Sequence, residues 1–82
     1  MTAPSRDART AAEAILAALK DNAQRDYDVW MNWVTTEVEK TPGDDEDFEA
    51  VHREAKFMHG QSVGSYWAHD AARRSYHAHF GD

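Results

Sequence analysis

The stretch that decides the fold lies near the middle of the chain and reads Thr41-Pro42-Gly43-Asp44-Asp45-Glu46-Asp47. Proline and glycine end a helix, and acidic residues after them favour a new one because they interact with the positive end of its dipole. On both sides of this stretch, apolar residues recur every three or four positions. The sequence therefore predicts helices that fold back on each other at residues 41–47.

Before the turn, the spacing predicts one helix over about residues 5–40. Ser5 is placed to cap its first turn. Asp21 and Asn22 compete with the helix backbone for hydrogen bonds, which makes them its weakest point. The apolar stripe continues through them and comprises Ala8, Ala12, Ile15, Leu19, Ala23, Tyr27, Trp30, Val34 and Val38.

After the turn, Gly60 and Gly64 leave two interpretations open. In the favoured one, Gly60 ends a helix of about residues 45–59, and Ser62 caps a third helix of about residues 63–80. In the other, one long helix continues, and its glycines allow close backbone contact with a neighbour. The stripe here comprises Phe48, Val51, Ala55, Met58 or His59, Ser62, Tyr66, His69, Arg73, His77 and Phe80. The fold class is all-α, an antiparallel helical hairpin or three-helix bundle in a single domain of residues 1–82.

The apolar composition is thin for a chain of 82 residues. Ile15, Leu16 and Leu19 are its only long aliphatic residues, so we expect a core of aromatic side chains packed against alanine. Such a core favours self-association. The absence of cysteine, of a membrane-length apolar run and of a signal-peptide pattern predicts a cytoplasmic protein with no membrane partner.

Negative charge is concentrated in the middle of a chain whose formal net charge is −6. Between residues 26 and 49, Lys40 is the one basic residue among nine acidic ones: Asp26, Asp28, Glu37, Glu39, Asp44, Asp45, Glu46, Asp47 and Glu49. This pattern is typical of a solvated, capping turn, and it also suits a basic protein surface as partner. In size and acidity the chain is similar to small phage-encoded inhibitors that imitate the charge of DNA. That resemblance implies a phage- or bacterium-encoded inhibitor or adaptor.

The segment of residues 66–80 places Arg73 and Arg74 among aromatic and histidine residues, which is a pattern that can stack on bases. The net acidic charge argues against nucleic acid as a partner, because binding phosphates requires clustered cations. We expect these arginines to pair with carboxylates of the acidic half.

One short pattern is compatible with metal binding. Glu49 and His52 form a Glu-x-x-His step of the kind that di-iron helical bundles use, and Glu37 lies about as far before the turn as Glu49 lies after it. In a homodimer these residues resemble a ferritin-like half-site, and this is the alternative function. The favoured expectation is no metal and no cofactor.

Catalytic residues are not indicated, because the chain has no glycine-rich phosphate loop and no cysteine nucleophile. A small helical hairpin also offers little concavity for an active site. We therefore expect a non-enzymatic protein–protein interaction module. Aromatic and methionine side chains are enriched at interface centres, and they predict a homodimer interface of Trp30, Met31, Trp33 and Trp67.

Overall fold

The computed structural model describes residues 6–81, in which two long helices are joined by one turn. Helix α1 is Arg6–Trp33 and continues into a π-helical segment, Val34–Val38. Helix α2 is Phe48–Phe80. The expected cap at Ser5 lies outside the described residues.

The helices run antiparallel along a rod that measures 65 × 15 × 15 Å between Cα atoms. Near the turn, the Trp33 indole Nε1 donates to the Val51 carbonyl oxygen at 3.0 Å. Near the open end, the Arg9 Nε donates to the Tyr76 hydroxyl at 3.0 Å. The all-helical prediction is therefore confirmed, and the arrangement is a hairpin of two helices.

The prediction of a break at Gly60–Gly64 is wrong, because α2 runs through both glycines. Each glycine costs a helix about 1 kcal/mol relative to alanine, which contacts elsewhere in the helix can offset. The close-contact interpretation has no support inside the hairpin either. A Cβ atom added at Gly60 or Gly64 would meet nothing within 4 Å.

The two helices meet along a seam whose residues alternate spacings of three and four, which is the repeat of a coiled coil. From α1 the seam contains Ala12, Leu16, Leu19, Ala23, Asp26, Trp30 and Trp33. From α2 it contains Phe48, Val51, Ala55, Met58, Ser62, Ser65, His69, Ala72 and Tyr76.

The predicted stripes differ from this seam by one residue at several places. Leu16 lies on the seam where the sequence predicted Ile15, which is 60% exposed. Asp26 and Ser65 likewise stand where Tyr27 and Tyr66 were expected. The sequence predicted the aromatic rings there because they are the larger apolar groups, whereas the heptad repeat places the smaller polar residues inside.

The seam is shallow. Across residues 6–81, no apolar side chain is fully buried, and Ser62, 8% exposed, is the most enclosed residue. Half-buried aromatic, aliphatic and alanine side chains share the contact between helices. Two helices alone thus leave one side of each seam residue close to water.

The first helix loosens before the turn. The Glu39 amide donates to the Val34 carbonyl at 2.9 Å, a five-residue step that defines the π-helical segment. Within this segment, the Thr36 hydroxyl donates to the Asn32 carbonyl at 2.7 Å. Threonine hydroxyls that bond to carbonyls one turn earlier compete with the regular helical pattern. The helix predicted to reach residue 40 therefore keeps α geometry only as far as Trp33.

Candidate interaction surfaces

The acidic tip is the end of the rod that contains the turn. It comprises seven exposed carboxylates: Glu37, Glu39, Asp44, Asp45, Glu46, Asp47 and Glu49. Local hydrogen bonds order the backbone between them. The Asp45 amide donates to the Pro42 carbonyl at 3.0 Å, and the Asp47 amide donates to the Asp45 Oδ1 at 2.7 Å. The tip therefore has an ordered backbone from which seven carboxylates extend into solvent.

None of these seven carboxylates forms an ion pair within the described part of the chain. Lys40 is the one cation among them in sequence, and its side chain is exposed as well. Carboxylates of one sign at the narrow end of a rod produce a local negative potential that attracts cationic groups. The tip is therefore an anionic surface that internal pairing leaves uncompensated.

The other two predicted partner-binding carboxylates lie away from the tip. Asp26 is half-buried in the seam, and its carboxylate accepts a hydrogen bond from the Ser65 hydroxyl. Asp28 is exposed on α1 and accepts a hydrogen bond from the Gln24 side chain at 3.0 Å. The structure thus gathers seven of the nine acidic residues and leaves these two along the rod.

The four predicted interface residues divide between the inside and the outside of the hairpin. Trp33 is half-buried and donates to Val51, so its indole takes part in the contact between the two helices of one chain. Trp30 and Met31 are also half-buried. Trp67 is 68% exposed and is not a seam residue.

An aromatic groove runs along one side of the seam near the middle of the rod, with a volume of about 570 Å³. Its floor includes the small seam residues Ala23 and Ser62. Its walls and rim are formed by Lys20, Gln24, Tyr27, Trp30, His59, Val63, Tyr66, Trp67 and His69. Large rings on both sides of a small floor create the groove.

Rings in the groove contact one another. The Trp30 and His59 ring centroids are 4.5 Å apart, and Tyr27 meets Trp30 edge-on at 5.9 Å. Tyr27 and Tyr66 are nevertheless 46% and 60% exposed. Sequence reasoning assigned these two tyrosines to the seam and so missed them as surface residues. The heptad repeat was the signal that could have placed them, since each directly follows a seam residue.

The metal-binding residues of the alternative function do not come together in one chain. Among residues 6–81, no group of three or more histidine or carboxylate side chains could hold an ion. The His52 Nδ1 lies 3.0 Å from the Phe48 carbonyl oxygen, and its ring stacks on that of Phe48 at 4.0 Å. Glu37 and Glu49 are exposed at the tip.

At the open end of the rod, Arg73 and Arg74 both pair with Asp70. The Arg73 Nη2 lies 2.8 Å from the Asp70 Oδ1, and Arg74 bonds the other carboxylate oxygen. Hydrogen bonds from Arg73 and then Arg74 lower the pKa of Asp70 below its ordinary value. The expectation that these arginines pair with the acidic half is wrong, because the fold places the two regions at opposite ends of the rod.

A second polar network at the open end joins the two helices. The Arg9 Nε donates to the Tyr76 hydroxyl, which in turn donates to the Glu13 Oε1 at 2.7 Å. The hydrogen bond to Tyr76 is the main cause of a raised pKa for Arg9. The charges at this end therefore bind one another.

Comparison with protein-family models, with curated proteins and with solved structures finds no match to this chain. Neither α1 nor α2 contains a stretch long and apolar enough to cross a lipid bilayer.

Proposed function

We propose that the protein is a small, non-enzymatic interaction module whose acidic tip binds a basic protein surface. The observation that carries this proposal is the group of seven exposed carboxylates with no internal ion pair in residues 6–81. A partner that brings lysine or arginine side chains to the tip gains charge-assisted contacts without first breaking internal ones.

The shape of the tip supports the same proposal. The turn projects the carboxylates from the end of a rod only 15 Å across, so a partner can approach them from several directions. Electrostatic complementarity of this kind speeds association and selects partners by charge. By occupying a basic surface, the module would act as an inhibitor or an adaptor.

We also propose that the working form is a homodimer. Support comes from the shallow seam, which leaves Trp67 mostly exposed and encloses no apolar side chain among the described residues. A single pair of helices has little buried apolar area with which to offset the entropy of folding. Contact with a second copy would increase the buried apolar area.

The tip can be tested with a defined cationic probe, a fluorescently labelled octalysine peptide, by anisotropy. The test variant combines Asp44→Asn, Glu46→Gln and Asp47→Asn and leaves Asp45, which accepts from the Asp47 amide. We expect binding to weaken about tenfold or more, and wild-type binding to weaken comparably between 50 and 500 mM salt because salt screens exposed charges.

The matched control removes the same three charges elsewhere, through Asp7→Asn, Asp21→Asn and Glu54→Gln. These residues are exposed and lie outside the tip. The control should retain most of the affinity. Equal weakening in both variants would show that net charge, and not the tip, attracts the peptide, and salt-insensitive binding would contradict the proposal as well.

A further inference from the structure

The aromatic groove is the strongest apolar feature of the molecule that the hairpin leaves uncovered. Tyr66 and Trp67 are 60% and 68% exposed and stand beside each other on α2, with Tyr27 facing them from α1. Other exposed apolar side chains, such as Phe57 and Val29, stand outside this groove. Aromatic residues clustered in a groove provide the large contact areas on which interface energy concentrates.

The solvent-accessible surface area of the chain shows how much more surface the hairpin exposes than a compact protein of the same mass. A compact monomer of 9.3 kDa exposes about 5,000 Å². This chain exposes 6341 Å², an excess on the order of 1,000 Å². Interface areas are counted over both partners, so two copies that each cover this excess would bury on the order of 2,000 Å² in total. That area lies in the range that obligate homodimers bury. A contact with one further copy of the same chain is large enough to cover this excess.

We propose that a second copy packs its aromatic groove against this one, with the two rods antiparallel, to form a four-helix bundle. The assignment rests on the homodimer proposed above and names its contact face and its orientation. Tyr27, Tyr66 and Trp67 of the two copies form the centre of the contact, whereas Trp33 stays within the hairpin of its own chain.

The position of the groove allows two rods to overlap along most of their length. Its α1 wall runs from Lys20 to Trp30 and its α2 wall from His59 to His69, which is the middle third of the rod. A twofold axis through the groove therefore aligns the two hairpins side by side. Such an axis can be perpendicular to the rods, which separates the tips, or parallel to them, which brings the tips together.

Charge selects the perpendicular axis. A parallel arrangement would place two groups of seven carboxylates side by side, and like charges repel. The antiparallel arrangement instead places each acidic tip near the open end of the other copy, where Arg6, Arg9, Arg73 and Arg74 lie beside Asp7, Glu13 and Asp70, so the carboxylates of the two tips do not face each other. The two tips then point in opposite directions.

The contact face can be tested by light scattering over a dilution series of the full chain. Tyr27→Glu combined with Trp67→Glu should weaken dimerisation about 100-fold or more, because each places a carboxylate at the centre of the interface. The matched control, Val29→Glu with Phe57→Glu, changes exposed apolar residues of the same two helices outside the groove. It should shift the dissociation constant less than about threefold.

The orientation is measured separately on a chain that keeps its groove intact, so a folding defect in the charged variant cannot decide the outcome. The protein has no cysteine, and Gly43 has open space around its Cβ position, so Gly43→Cys accepts a spin label at the tip. Pulsed electron resonance should give a distance of about 55 Å between the two labels, twice the helical rise from the groove centre to the turn.

Each result has a distinct meaning. A wild-type chain that stays monomeric at high concentration overturns both the homodimer and this inference. A dimer that survives the groove substitutions as well as it survives the control keeps the homodimer and overturns the contact face. A label distance within about 25 Å overturns the antiparallel orientation, since helices pack about 10 Å apart. If the tip variant loses octalysine binding but dimerises as tightly as the wild type, the acidic tip and the aromatic groove act as independent surfaces.

Discussion

At the turn end of the rod, apolar side chains hold the helices together, and the carboxylates there form no ion pair within residues 6–81. At the open end, charged and hydroxyl groups themselves join the helices. Trp33 and Val51 form the contact at the first end, whereas Arg9, Tyr76 and Glu13 form it at the second. The charges at the open end thus take part in contacts within the chain, whereas the carboxylates of the tip remain exposed to solvent.

The largest effect is expected from removing the anchor at the turn end. Trp33→Ala deletes a half-buried indole together with its hydrogen bond to Val51, so the free energy of unfolding should fall by about 2–4 kcal/mol. Urea denaturation at a fixed protein concentration measures this change. Phe57→Ala, at a residue 61% exposed, is the control and should stay within about 0.5 kcal/mol. Equal losses of unfolding free energy in the two variants would show that the Trp33 indole does not stabilise the contact between the helices.

A smaller effect is expected from breaking the polar contact at the open end. Tyr76→Phe keeps the ring and removes the hydroxyl that receives from Arg9 and donates to Glu13, so unfolding should become easier by about 0.5–1 kcal/mol. A double-mutant cycle with Glu13→Gln isolates the contribution of the network. Strictly additive losses would show that hydroxyl and carboxylate do not cooperate across the helices.

The smallest effect concerns Asp70, whose pKa the two arginines lower. A carboxylate with a lowered pKa in the folded state stabilises the protein fully above its unfolded pKa of about 3.9. That contribution is lost as the pH falls through the lower folded value. The melting temperature of wild type should therefore slightly exceed that of Asp70→Asn at pH 7, and the gap should close in acid. A gap that is constant with pH would contradict the role of this ion pair.

Much of the hairpin was predictable from the sequence, because the turn and the helical repeat depend on local chemistry. Pro42 and Gly43 end the first helical half, and the acidic residues after them precede α2. The passage of α1 through Asp21 and Asn22 was also predicted correctly. These features need no knowledge of distant contacts.

The phase of the seam and the continuity of α2 were harder to predict, because both depend on contacts between distant residues. Asp26 and Ser65 satisfy each other across 39 positions of sequence, and a carboxylate without that partner would be expected outside. Gly60 carries an intrinsic signal to end a helix, yet residues on both sides of it continue the same seam. The exposed tyrosines Tyr27 and Tyr66 were missed because the larger apolar rings were assigned to the seam in place of Asp26 and Ser65, although the heptad repeat favoured these two.

The π-helical segment explains which residue follows Trp33 into the contact with α2. In a regular α-helix, the position seven residues after Trp30 is Glu37, and the heptad repeat would carry its carboxylate into the seam. The wider turn adds one residue, so Val38 is half-buried and Glu37 stays in water. Deleting a single residue from this segment, for example Thr36, would remove the insertion and place Val38 seven positions after Trp30, so an ordinary α-helix would keep valine in the seam and Glu37 outside it. A one-residue insertion thus separates the apolar side of the hairpin from its anionic end.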